Sequence, residues 1–145
     1  MSRVIYFVDE DVPYVQEYSV PLRLRNRSVD SLPNADIAYE TLEKANDVEL
    51  AVIDIMLATE DKGVSKFSRT ETEDFLKTGL LLIDYLANAR PDVFPRRFVV
   101  LTAASDRKLL KAIRDRCGPL KIEILRKMDY SSPVSLADKI ESLIP

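Results

Sequence analysis

Glu49-Leu50-Ala51-Val52-Ile53-Asp54-Ile55-Met56-Leu57 is an apolar, branched run with one carboxylate, Asp54, near its end. Such runs read as strands buried on both faces, which belong in parallel sheets covered by helices. A carboxylate is costly to bury unless it stands at the carboxyl end, where the strand opens into a crevice. Working outward, Arg3-Val4-Ile5-Tyr6-Phe7-Val8 is a second such run and ends in Asp9-Glu10-Asp11. Arg97-Phe98-Val99-Val100-Leu101-Thr102 is a third, apolar until a hydroxyl, and Leu120 to Leu125 is a fourth with Lys127 just beyond. Ser28 to Leu32 is a short, weaker candidate suited to a sheet edge.

Helical patterns separate these strands. Asp11 is placed to cap a helix with Pro13 in its first turn and Val12, Val15, Tyr18 and Leu22 on the buried face. Pro21 is expected to kink or end that helix, because its ring opposes the Glu17 carbonyl. Arg23, Arg25 and Arg27 read as a solvated helix cap rather than a phosphate-binding patch. Ala35 to Ala45 is helical with Ile37, Ala38, Leu42 and Ala45 inward. Gly79 to Arg90 follows, with Leu82, Tyr85, Leu86 and Ala89 on one face, and Pro91 ends it. Ser105 is the expected cap of a helix whose Leu109, Leu110, Ile113 and Cys117 share a face, stopped by Gly118-Pro119. Ser132-Pro133 opens a last helix burying Leu136, Ala137, Ile140, Leu143 and Ile144. Thr59 to Thr78 has no sustained apolar period and reads as a long inserted loop, with a short helical turn around Thr72 to Leu76.

The chain of 145 residues is 46% hydrophobic and 31% charged, which fits one globular domain over residues 1–145. A net charge of −3 argues against a dedicated nucleic-acid or anionic-membrane binder. With no histidine, His-based triads, His-bearing zinc sites and imidazole bases are excluded. The single Cys117 cannot form an internal disulfide and reads as a core filler in a reducing, cytoplasmic setting. No leader or membrane-length apolar run is present in the sequence.

Strand and helix thus alternate five times, an α/β pattern for a doubly wound parallel sheet. Sites in such sheets lie outside the carboxyl ends of the strands, where Asp9, Glu10, Asp54, Thr102 and Lys127 converge. Three carboxylates together call for a hard cation, and Mg²⁺ suits oxygen ligands. Lysine and threonine are groups that hold a transferring phosphoryl, and a central carboxylate can itself be the nucleophile.

The chain resembles the response regulator receiver domains (CheY-like) of two-component signalling. The match runs from about Arg3 to Ile144 and is interrupted by the 59–78 insertion. It rests on Phe7-Val8-Asp9-Glu10, Val52-Ile53-Asp54-Ile55-Met56-Leu57, Gly79-Leu80-Leu81-Leu82, Val99-Val100-Leu101-Thr102-Ala103 and Leu125-Arg126-Lys127. The resemblance implies a flavodoxin-like (βα)5 fold of strand order 2-1-3-4-5. It implies that Asp54 takes a phosphoryl group from a sensor histidine kinase or phosphotransfer protein. Asp9, Glu10, Asp54 and the Met56 carbonyl would serve Mg²⁺, Thr102 and Lys127 would contact the phosphoryl oxygens, and Ala103 would leave access. Output would pass to a downstream protein partner or through a homodimer; if the chain ends at Pro145, it would do so non-covalently or as a phosphorelay intermediate. Four positions depart from the family pattern. Ala58 and Met128 stand where proline is usual, Gly79 comes late, and Ile124 replaces the aromatic switch residue.

Two other readings compete. A pseudo-receiver would keep the fold as a protein-binding module without phosphorylation. A haloacid-dehalogenase-like phosphatase would use Asp9 as nucleophile and Asp11 as acid/base. Pro13 and the lack of a later paired-acid strand end count against the phosphatase, which also leaves Asp54 without a role.

Overall fold

The computed structural model describes residues 3–57, 67 and 77–145. Its strands are β1 (Val4–Val8), β2 (Ser28–Leu32), β3 (Val48–Ile53), β4 (Phe98–Thr102) and β5 (Glu123–Arg126). The helices among the described residues are α1 (Val12–Leu24), α2 (Ala35–Lys44), α3 (Thr78–Ala89), α4 (Arg107–Cys117) and α5 (Pro133–Leu143). A single 3₁₀ turn, Lys127–Asp129, follows β5. All strand pairs are parallel and the order is β2-β1-β3-β4-β5, so the weak Ser28–Leu32 strand does lie at an edge.

The strands' two-residue period sorts their side chains to opposite faces. Tyr6, Val8, Ala51, Ile53, Phe98 and Val100 pack with α2, α3 and α4, whereas Ile5, Phe7, Leu50, Val52, Val99 and Leu101 pack with α1 and α5. Both faces are covered, which is why these strands are nearly continuous apolar runs. Phe67, inside the inserted segment, is also buried and tilts against Tyr85 with ring centroids 5.4 Å apart. The helical turn expected at 72–76 lies outside the described residues.

Several local expectations are corrected. The first helix runs unbroken through Pro21 to Leu24. The missing Pro21 N–H costs one hydrogen bond, but Leu22 is fully buried and the helix end is tied to α5. That tie comes from the arginines expected to be solvated: Arg25 reaches Glu141 and Asp138 at 2.8 Å each, and Arg27 Nε reaches Glu141 at 3.0 Å. Val12 is exposed, Ser19 is buried in the face expected for Tyr18, and Ala89 is exposed while Ile83 is buried. The fifth strand starts later than expected, at Glu123, because Lys121 adopts a left-handed φ of 58° that interrupts the extended chain.

The cap of α4 is Asp106, one residue past Ser105; its carboxylate accepts from the Leu109 N–H at 2.9 Å. Asp106→Ala is therefore expected to cost about 1 kcal/mol in urea unfolding, and Ser105→Ala almost nothing. Equal costs for the two would show that Asp106 is not the cap. Ser132 caps α5 with Pro133 in its first turn, as expected.

Candidate functional site

The strand order reverses at β1, which lies between β2 and β3, so the ends of β1 and β3 open into one crevice. Asp9 follows β1 and Asp54 follows β3. Backbone pairing continues past both strands: Asp9 N–H donates to the Leu32 carbonyl at 3.2 Å and Asp54 N–H to the Val8 carbonyl at 2.9 Å. This anchors the two carboxylates side by side although both are buried, Asp9 at 3% exposure and Asp54 at 7%.

Lys127 joins them from the end of β5. Its Nζ lies 2.7 Å from Asp9 Oδ2 and 3.7 Å from Asp54 Oδ2. The other Asp9 oxygen accepts from the Asp11 N–H at 2.9 Å, and Asp54 Oδ1 accepts weakly from the Met56 N–H at 3.3 Å. Asp54 is thus the less satisfied of the pair. Burial first, and the Asp9 charge second, push its pKa up to about 7 against the pull of Lys127 and of the Met56 and Ile55 amides. Removing the ammonium should raise it further. Carboxyl ¹³C titration of Lys127→Ala is expected to place the Asp54 midpoint above the wild-type value, and an unchanged midpoint would show that the ammonium does not act on Asp54.

Thr102 ends β4 fully buried, and its hydroxyl oxygen accepts from the Ala104 N–H at 3.0 Å. Ala103 beside it is exposed. Glu10 is exposed, and among the described residues no group of three or more acidic side chains is gathered to hold a metal ion. The structure therefore brings Asp9, Asp54 and Lys127 together, with Glu10 exposed next to Asp9 in the chain. The chemistry of the donors still suits a hard divalent cation: two buried oxygen donors repel each other and share one ammonium.

Two features escaped the sequence reading. The Tyr14 ring lies under Lys127, with Nζ 4.3 Å from its centroid, and stacks on Tyr18 at 4.3 Å. The ring face attracts the ammonium and helps hold it over the carboxylates. The i, i+4 spacing of Tyr14 and Tyr18 was the available signal, but nothing local tied Tyr14 to a lysine 113 positions later. The second is the contact made by Gly79, whose late position the sequence showed but not what it touches. Its N–H donates to the Ile55 carbonyl at 2.8 Å, so the start of α3 presses directly on the backbone that carries Asp54.

No protein-family model matches the chain, and no curated protein matches it in sequence. Solved structures do. A CheY-like response regulator receiver domain protein from Methanospirillum hungatei JF-1 aligns with TM-score 0.67 and 18% identity, over 99% of this chain and 94% of its own. The BeF3-activated DrrB receiver domain aligns with TM-score 0.62 and 17% identity, over 99% and 97%. A response regulator from Burkholderia pseudomallei, solved with a phosphorylated aspartic acid, a calcium ion and citrate, aligns with TM-score 0.61 and 18% identity, over 97% and 72%. The chain has the CheY-like receiver fold. Its strand order is the one the resemblance implied. Among the described residues, no helix of this receiver fold is long and apolar enough to cross a membrane.

Proposed function

We propose that this receiver fold works as a phosphoacceptor in two-component or phosphorelay signalling, with Asp54 as the acceptor. The observation that carries the reading is the placement of Asp54: buried at a strand end, beside Asp9, with the Lys127 ammonium touching both. The ionised Asp54 oxygen would attack the phosphorus of a phosphohistidine, forming the P–O bond as the P–N bond breaks and leaving the imidazole with the electron pair. Lys127 and the Thr102 hydroxyl would offset charge on the phosphoryl oxygens, and exposed Ala103 would leave the approach open. Asp9, Glu10, Asp54 and the Met56 carbonyl would hold Mg²⁺, which supplies charge neutralisation for the acceptor and the incoming phosphoryl group. The donor would be a sensor histidine kinase or a phosphotransfer protein, and the output a protein partner. This makes the chain a regulatory acceptor rather than an enzyme that turns over substrate.

A second reading, the pseudo-receiver, draws on Ile124. It packs partly buried against the core face shared with α4, and an aliphatic side chain there has no ring to swing. The phosphatase reading is weakened by Asp11, whose carboxylate accepts from the Tyr14 N–H at 3.1 Å as a helix cap.

Intact mass after incubation with acetyl phosphate and Mg²⁺, together with amide spectra after beryllofluoride, separates these readings. Modification and shifts that require both Mg²⁺ and Asp54, and vanish in Asp54→Asn, are the expected result. A folded protein inert to both reagents would be a pseudo-receiver. Phosphate release that survives Asp54→Asn and is lost in Asp9→Asn would point to the phosphatase.

A further inference from the structure

Among the described residues, four buried side-chain polar atoms have no hydrogen-bond partner: Tyr14 Oη, Ser31 Oγ, Thr78 Oγ1 and Arg126 Nε. A buried donor without an acceptor loses its water and gains nothing in exchange, so each such group calls for a reason. Tyr14 is the one whose ring packs on the candidate site, with Lys127 Nζ 4.3 Å from the ring centroid.

The place of Tyr14 is fixed by backbone, ring and charge. Asp11 accepts from the Tyr14 N–H at 3.1 Å, which sets the residue in the first turn of α1, directly after the acids that follow β1. Tyr18 stacks on the ring, with centroids 4.3 Å apart and planes at 20°. Lys127 covers the ring and reaches Asp9 at 2.7 Å and Asp54 at 3.7 Å. A phenylalanine would make the same stack and the same ammonium contact without burying a hydroxyl. Packing therefore accounts for the ring and not for the oxygen.

The oxygen is a donor. Burial first, then Tyr18 and the charges of Asp9, Asp54 and Asp11, push the Tyr14 pKa up, so the hydroxyl keeps its proton. The nearby carboxylates are engaged elsewhere: Asp9 accepts from Lys127 and the Asp11 N–H, and Asp54 Oδ1 from the Met56 N–H. A phosphoryl group on Asp54 would bring new acceptor oxygens beside Lys127, where the Tyr14 ring already sits.

We propose that Tyr14 is a further ligand of the phosphoryl group, its hydroxyl donating a hydrogen bond to a phosphoryl oxygen on Asp54. The role rests on the acceptor reading of Asp54 and adds a donor from α1 to those of Thr102 and Lys127. Hydrogen bonds to a charged acceptor are stronger than neutral ones. Because the donor is unsatisfied in the free protein and satisfied in the loaded one, it favours the loaded state specifically.

Beryllofluoride, a stand-in for the phosphoryl group, is titrated with Mg²⁺ into wild type, Tyr14→Phe and Tyr18→Phe and followed by ¹⁹F and amide spectra. Urea unfolding of the ligand-free proteins runs alongside. Tyr14→Phe is expected to bind about tenfold more weakly, to shift the ¹⁹F signal of the bound ligand, and to unfold at a midpoint no lower than wild type. Tyr18→Phe loses a hydroxyl that donates to the Tyr130 carbonyl at 3.5 Å, and should bind as wild type does. Wild-type affinity in Tyr14→Phe, an unshifted fluorine signal, or weaker binding that comes with a lowered midpoint would overturn the role and leave the acceptor reading standing. Equal weakening by Tyr18→Phe would overturn it as well. No beryllofluoride binding by wild type would remove the acceptor reading itself, and the Tyr14 role with it.

Discussion

Gly79→Ala is expected to destabilise the protein by about 3 kcal/mol, at the upper end of what overpacking normally costs. A Cβ built on Gly79 would lie 2.6 Å from Ile55 Cα, 3.0 Å from the Asp54 carbonyl carbon, and closer still to the Asp54 carbonyl oxygen. All three are backbone atoms, so no side chain can rotate away. The backbone could relieve the clash only by moving α3 off the end of β3. That movement would break the Gly79 N–H bond to the Ile55 carbonyl, and no side chain of Lys77 caps the helix in its place. Urea unfolding should show a lower midpoint with unchanged slope. Residual folded protein should also show shifted amides at Ile55 and Met56, because the acceptor's own backbone is what the methyl strikes. A midpoint within about 0.5 kcal/mol of wild type would mean that the helix does not approach the strand end so closely.

Asp54→Asn is expected to stabilise the metal-free protein at pH 8 and to have little effect at pH 4. In the native state Asp54 is pushed up to about 7, whereas an unfolded aspartate titrates near about 4. Between these values the native state holds a proton that the unfolded state has released, so stability falls as pH rises through this window. Three pKa units at about 1.36 kcal/mol each set an upper bound near 4 kcal/mol; about 2 kcal/mol is the working expectation. Asparagine carries no charge to desolvate and escapes the loss, while Lys127 keeps its closer partner Asp9. Urea midpoints in EDTA at the two pH values measure the difference. Equal stability of wild type and variant at pH 8 would refute the burial argument. Adding Mg²⁺ should stabilise wild type more than the variant, because a cation relieves the same repulsion.

The two results address one design. A buried, poorly satisfied carboxylate is held in place by backbone, from one side by β1 and from the other by the tip of α3. Its cost to the fold is a reason to look for function at Asp54, since a stability-optimised chain would place a neutral residue there.

The sequence by itself determined the sheet. Apolar runs ending in polar groups, spaced by amphipathic segments, admit few arrangements other than a parallel sheet with covered faces, because burial on both sides and right-handed crossovers exclude the rest. It also placed Asp9, Asp54, Thr102 and Lys127 at strand ends, since position within a strand is a local property. Tertiary structure alone decided the contacts among them. That Lys127 sits on Asp9 and over Tyr14, with Asp54 farther off, depends on groups brought together from β1, α1, β3 and β5. Pro21 stayed helical because docking on α5 outweighs one lost hydrogen bond, and Arg27 found Glu49 and Glu141 across the fold rather than solvent. Gly79 shows the division most directly. Its identity is written in the chain, but the need for it arises only where the helix tip meets the Asp54 backbone, a contact between segments 25 residues apart.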